Sequence, residues 1–320
     1  MRDDGCRGQC PHHLSAGGRR EDRGGAGGDP RGEHRDPGWC GPGAADFRGA
    51  PLLKPRELTF IKLGGSLLTD KRQAGSFDGG VAGRLAGELE EAARSSPGNL
   101  VVGHGSGSFG HATADEHQIH PGEIRAEQLP GVVATQQAAA ALHRLVVDSL
   151  RRQGALPFSL APSSFLVTAA GMPAGVTLEP LERALASGLL PVVYGDVVMD
   201  REWGASICST ERVFLALSQG LAQRGFEVAR VIWMGRTVGI YDEEGKTIPV
   251  VTPEDFDRVA TAAREADGSD VTGGMRHRLE SAVELARAGI RSWIVDGQSP
   301  GLLGRLLSGE EVPGTRVSPA

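Results

Sequence analysis

From Leu58 onward the chain alternates short apolar runs with amphipathic stretches of helical length. The runs LTFIKL (58–63), NLVVG (99–103), LLPVVYG (189–195), VARVIW (228–233) and RSWIVDG (291–297) are apolar at successive rather than alternate positions. A strand of that kind is buried on both faces, which requires helices above and below it and favours parallel pairing. The intervening stretches predict helices over 79–94, with Val81, Leu85 and Leu89 on one face, then over 132–154 closed by Gly154, 178–188, 210–225, 253–264 and 274–289. ALPFSL (155–160) follows the long helix, and hairpins are expected through 197–208 and 237–250. The pattern predicts an α/β fold, a three-layer αβα sandwich with a mostly parallel central sheet.

Residues 1–55 have a different texture: Gly, Arg, Asp, Pro and His with scarcely any aliphatic side chain. Such a segment cannot bury enough surface to offset its ordering entropy, so it is expected to be a disordered Gly/Arg-rich tail, or the product of a start codon chosen upstream. Its CRGQCPHH segment has ligand-type residues but no closed zinc spacing. The folded domain is therefore 56–320, and an apolar content of 39% over the whole chain is enough for a sizeable core. A net charge of −6 gives no general attraction to nucleic acid or to an anionic membrane. There is neither an apolar run of spanning length nor the apolar middle of a signal peptide, so the expected location is cytoplasmic. Three cysteines lie in the tail and only Cys208 in the body, so no disulfide framework is expected.

Four glycine-rich turns follow strands or open helices: KLGGS (62–66), GSGSFGH (105–111), YGD (194–196) and DVTGGM (270–275). At the carboxyl edge of an α/β sheet, glycines let backbone N–H groups approach an anion and helix N-termini add positive potential. Several such loops on one edge suggest a substrate with more than one phosphate. GSGSFG satisfies G-x-G-x-x-G, but the next twenty residues contain two prolines and no apolar strand, which argues against a dinucleotide site. His104, His111, His117 and His120 are expected in a loop with nothing to fix them as metal ligands. Lys62 ends an apolar strand, where a lysine is costly unless it meets an anion, and Lys71 follows on the same loop.

The segments IKLGGSLLTDK, HGSGSFGH, PVVYGDVVMD and DVTGGM, with PGLLGRLLSGEEVPGTRV at the end, cover 57–317 and resemble the amino acid kinase superfamily, within it the isopentenyl phosphate kinases. The resemblance implies ATP and Mg2+ as cofactors, a prenyl phosphate as small-molecule partner, a homodimer, and no metal held by protein ligands. It places Lys62, Lys71, His111 and Glu211 in catalysis. Lys62, Gly64, Gly65, Ser66, Gly107, Gly273, Gly274 and Arg278 correspond to the nucleotide site, and Gly105, Ser106, His111, Gly195 and Asp196 to the acceptor site. His104 corresponds to a position with a structural part only. An acceptor-binding lobe over 56–200 and a nucleotide-binding lobe over 201–320 are implied, and the alanine-rich stretch 132–147 corresponds to the wall of a prenyl pocket.

Three departures from the family pattern stand out. Glu211 replaces the aspartate of SGD, Arg278 replaces a lysine, and MGRTVGIY (234–241) replaces TDVDGVY, losing both acids and gaining Arg236. A fosfomycin or other phosphonate kinase is the nearest alternative on the same scaffold. A non-catalytic ligand-binding relative is the alternative of another class.

Overall fold

A computed structural model describes residues 57–70, 72–266 and 274–319. Its elements in chain order are β1 (Leu58–Leu63), α1 (Gly65–Leu68), α2 (Gly79–Ser95), β2 (Leu100–His104), α3 (Gly107–Glu116), α4 (Leu129–Arg152) and β3 (Pro157–Ser159). They continue with β4 (Leu166–Ala169), β5 (Met172–Val176), α5 (Glu179–Ala186), β6 (Leu190–Tyr194), β7 (Asp196–Asp200), β8 (Gly204–Cys208) and α6 (Thr210–Gln223). The last are β9 (Val228–Gly235), β10 (Val250–Val251), α7 (Phe256–Ala266), α8 (Gly274–Arg287), β11 (Arg291–Asp296), α9 (Leu302–Leu307) and β12 (Thr315–Val317).

The fully apolar runs become the interior of an eight-stranded sheet ordered β10-β12-β11-β9-β1-β2-β6-β3. Every pairing in it is parallel except β11 with β12. Period-two alternation splits each strand between two cores. Phe60, Val101, Val193, Val231 and Trp233 join the core under α6 and α8, which includes Phe214, Leu217, Leu279 and Val283. Ile61, Val102, Val192, Ile232 and Met234 join the opposite core with Leu85 and Leu89 of α2, Leu142 and Val146 of α4, and Leu303 of α9. This is the expected αβα sandwich. Gly154 leaves α4 at φ 93°, its N–H donating to Arg151 O at 3.0 Å, so the residue read as the helix stop is one.

The register puts the strand ends in one row: Leu63 lies beside His104 and Met234, His104 beside Tyr194, and Met234 beside Val295. The chain reverses its direction of travel across the sheet at β1, with β2 on one side and β9 on the other, and an α/β sheet opens its ligand crevice at such a switch point.

Two segments differ from the sequence expectation. The expected loop after GSG is a helix, α3, so His111 is helical; α3 lacks an apolar stripe and packs on α4 through small residues such as Gly110 and Ala114. A second sheet, β5-β4-β7-β8, flanks the first; its β7–β8 hairpin is expected, but β4 and β5 are additional. The expected hairpin at 237–250 is present but short: Tyr241 and Thr247 form an antiparallel bridge, Ile248 N–H donates to Ile240 O (2.8 Å) and Asp242 N–H to Lys246 O (2.9 Å), and β10 then pairs in parallel with β12. The expectations for 1–55, Lys71 and Gly273 lie outside the described residues.

Phe214 is fully buried and meets Phe60 edge to face with ring centroids 4.9 Å apart. Phe214→Ala is expected to cost about 3–5 kcal/mol of stability, read as a lower urea midpoint at unchanged m-value.

Candidate active site

Three of the glycine loops continue the sheet by one hydrogen bond each. Gly64 N–H donates to Met234 O (2.8 Å), Gly105 N–H to Leu63 O (3.1 Å), and Gly195 N–H to His104 O (3.0 Å). The first two loops then touch backbone to backbone. A Cβ on Gly65 would lie 2.7 Å from Gly107 N, and one on Gly105 would lie 2.9 Å from Gly65 N. Gly107 also has φ 53°, and a Cβ there would meet Thr69 Oγ1 at 2.4 Å. Thr69 joins the loops: its hydroxyl donates to Gly65 O (2.8 Å) and accepts from Ser108 N–H (2.9 Å). Gly64, Gly65, Ser66, Gly105, Ser106 and Gly107 thus form one continuous rim.

Under the rim lies a cluster of buried charges. Lys62 faces the α6 side of the sheet, like Phe60 two residues earlier, and its Nζ is hydrogen-bonded and ion-paired to Glu211 Oε1. Glu211 stands in the first turn of α6, which is capped by the Ser209 hydroxyl accepting from Arg212 N–H (3.4 Å). Arg278 reaches in from α8. Its guanidinium packs over the backbone of the first rim loop and of β9, and a Cβ on Gly235 would lie 2.6 Å from Nη1. All three side chains are buried, and among the described residues two cations share one carboxylate, which leaves the cluster a surplus of positive charge. Burial, partly offset by Glu211, holds the Lys62 ammonium below its ordinary range, with Arg278 lowering it further. Burial pushes the Glu211 carboxyl up, but Lys62 and Arg278 outweigh it and the net direction is down. Arg278 Nε is buried with no hydrogen-bond partner among the described residues. An unsatisfied buried guanidinium N–H beside a surplus positive charge is an incomplete anion site.

On the β2 and β6 side of the row, His104 is fully buried and stacks with His143 and Tyr194 at centroid distances of 5.3 and 5.7 Å. Asp196 accepts from Ser163 N–H (3.1 Å) and Val197 N–H (2.8 Å) and bonds the Tyr194 hydroxyl. Burial raises its carboxyl, opposed by those hydrogen bonds. Burial likewise raises the Tyr194 phenol, with the Asp196 carboxylate adding to it.

The structure therefore brings together Lys62, Glu211 and Arg278, and above them the six rim residues. His111 is exposed on α3, a turn beyond Gly107. Gly195 and Asp196 are buried at the far end of the row, and Gly274 opens α8. Sequence reasoning missed Thr69, Gly235 and His143. Thr69 lies inside the LLTDK segment and could have been suspected; nothing local marks the other two. Among the described residues no three His, Cys, Asp or Glu side chains form a metal cluster, and no helix is long and apolar enough to cross a membrane.

A family model described as "Amino acid kinase family" matches residues 57–296. The isopentenyl phosphate kinase of Methanothermobacter thermautotrophicus is 33% identical over 271 residues, covering 82% of this chain and 99% of that protein. That of Haloferax volcanii is 31% identical over 251 residues, covering 76% and 97%. A crystal structure described as "X-ray structures of isopentenyl phosphate kinase" superposes with a TM-score of 0.67 at 29% identity, covering 81% of this chain and all of the other.

Burial holds His104 and His143 neutral, lowering them from 6.5 to about 4 and about 3. Between those values and 6.5 the unfolded chain binds protons that the folded chain does not. Folding stability should therefore fall as pH drops through this window, by up to roughly 2.7 kcal/mol per pH unit for the pair. Urea midpoints followed from about pH 7 to about pH 5 check this, and His143→Phe should lose about half of the histidine contribution to the slope.

Proposed function

The chain belongs to the amino acid kinase family, and we propose that it transfers the γ-phosphoryl group of Mg·ATP to isopentenyl phosphate, giving isopentenyl diphosphate and ADP. The observation that carries this reading is the surplus of buried positive charge that Lys62 and Arg278 leave among the described residues, placed directly under a rim of close-packed glycines. Phosphoryl transfer needs little covalent help from a protein; it needs two anions held in line and the charge on the moving group neutralised. The relatives named as isopentenyl phosphate kinases support the prenyl phosphate as acceptor.

In this mechanism the nucleotide phosphates lie against Gly64, Gly65 and Ser66 and the start of α8 at Gly274, and Gly273 and Lys71 are assigned to the same phosphates. The acceptor phosphate lies against Gly105, Ser106 and His111, bordered by Gly195 and Asp196. An acceptor oxygen forms the new P–O bond while the bond from the γ-phosphorus to the bridging oxygen breaks, and ADP leaves with that electron pair. No general base is required, because the attacking oxygen is already anionic. Lys62 and Arg278 meet the charge on the transferring group. Glu211 holds Lys62 in place and is committed to it, so magnesium enters as part of the Mg·ATP substrate.

The reading assigns 56–200 to the acceptor and 201–320 to the nucleotide, the alanine-rich face of α4 to the prenyl tail, a homodimer to the active form, and isoprenoid synthesis as the pathway. The test follows ADP release from purified protein with Mg·ATP and either isopentenyl phosphate or fosfomycin. Turnover of isopentenyl phosphate is expected. Turnover of fosfomycin alone would replace the acceptor, and silence with both would reduce the chain to a ligand-binding relative. His111→Ala should lower kcat/KM for the acceptor by roughly a hundredfold with little change in thermal midpoint, since the residue is exposed.

A further inference from the structure

Beneath the second glycine loop runs a chain of hydrogen bonds that phosphate binding alone does not require. His104 Nδ1 lies 3.0 Å from Gly105 O, His104 Nε2 lies 3.0 Å from His143 Nδ1, and His143 Nε2 lies 2.6 Å from Ser159 Oγ. The polarity of this chain follows from its first member. A carbonyl oxygen only accepts, so His104 Nδ1 carries the proton and His104 Nε2 is an acceptor. His143 Nδ1–H therefore donates to it, which leaves His143 Nε2 to accept from the Ser159 hydroxyl. Each ring needs one N–H and one lone pair, so both are neutral. Burial holds them so. Tyr194 stacks on His143 at 4.3 Å and fixes the ring plane, while its hydroxyl is tied to Asp196.

The far end of this relay is the peptide between Gly105 and Ser106. With no cis peptide bond among the described residues, that unit is trans, and its C=O and N–H point in opposite directions. A carbonyl held inward by His104 turns the Ser106 N–H outward. Gly105 supplies no side chain to hold the peptide in that orientation, and glycine is the residue least able to hold itself. We propose that His143, acting through His104, is a positioning residue that sets the Gly105–Ser106 peptide so that the Ser106 N–H is presented to the acceptor phosphate. The proposal rests on the reading of this loop as the acceptor's seat. It assigns a function to a histidine 39 residues from its partner, inside a helix whose visible feature is alanine content.

The test compares His143→Phe, which keeps a ring against Tyr194 but removes the donor, with His143→Asn, whose side-chain amide can donate from near the Nδ1 position. Ser159→Ala, at the exposed end of the relay, is the third variant. Steady-state kinetics of the full chain are measured with isopentenyl phosphate varied at saturating Mg·ATP, and the reverse. His143→Phe should lower kcat/KM for the acceptor by roughly tenfold or more while the KM for ATP stays within about twofold, His143→Asn should recover to within about threefold of wild type, and Ser159→Ala should show a smaller loss in the same direction. Nitrogen-15 NMR of the wild type should find both rings neutral and protonated on Nδ1. Acceptor kinetics unchanged in His143→Phe, equal damage to both substrates, an Asn variant as impaired as Phe, or a proton on His104 Nε2 would each overturn the proposal. If His143→Phe does not fold, Ser159→Ala and the wild-type tautomers decide it. Absence of wild-type turnover overturns the acceptor reading and this proposal with it, whereas active wild type with an unaffected Phe variant overturns the proposal alone.

Discussion

A lysine in the central strand of an eight-stranded sheet is the constraint around which the rest of the molecule is arranged. Lys62 is 6% exposed, and an ammonium so far from water costs several kcal/mol unless it is paired. Its partner Glu211 comes from α6, so α6 must approach the sheet closely at its N-terminus. Gly103 makes that approach possible: a Cβ there would lie 2.6 Å from Thr210 Cγ2 and 2.7 Å from the Phe214 ring. Thr210 then ties the helix down by donating its hydroxyl to His104 O at 2.6 Å. A glycine in a neighbouring strand, a helix cap and an aromatic core residue thus all serve the placement of one carboxylate.

The second constraint is the contact between the glycine loops, and it links the two halves of the proposed reaction. Because Gly65 and Gly107 meet without side chains and Thr69 bonds both loops, a displacement of one loop is carried to the other. In-line transfer depends on the distance between two bound phosphates, and a shared backbone rim fixes that distance better than flexible side chains could. The charge cluster beneath it adds potential without adding mobility.

What could be read from the sequence follows from how each element is held. The inner strands were legible because burial on both faces writes a continuous apolar run, and α2, α4 and α6 because one-sided burial writes a helical stripe. Helix α3 was not, since it is fixed by the positive φ of Gly107 and the Thr69 bond rather than by apolar periodicity. The turn joining β4 and β5 is held by the Asp200 carboxylate, which accepts from the N–H groups of Ala170 and Gly171 about thirty residues back in the chain. A contact of that range leaves no local signature. At the site, Lys62 and the glycines announced themselves by being costly or permissive where they stand. Their partners His143 and Gly235 are ordinary residues until the fold brings them into contact.

Gly235 also changes the meaning of the departures from the family pattern. A guanidinium at position 278 is wider than the ammonium it replaces. Its fork lies in the space that a Cβ on residue 235 would need, so a side chain there would force the guanidinium to shift, and glycine at the end of β9 lets it stay in place. The altered MGRTVGIY segment is then part of one rearrangement with Arg278. The segment lacks the pattern's acids and carries glycine at 235, and the cluster keeps its buried cation as a guanidinium whose Nε has no hydrogen-bond partner among the described residues. Lost acids remove negative charge from the rim where phosphates would bind, and the arginine adds donors in a geometry that suits a phosphate oxygen pair. Both changes favour an anion, the lost acids through charge and the guanidinium through its donors, so the missing acids are not by themselves the mark of a decayed phosphate site.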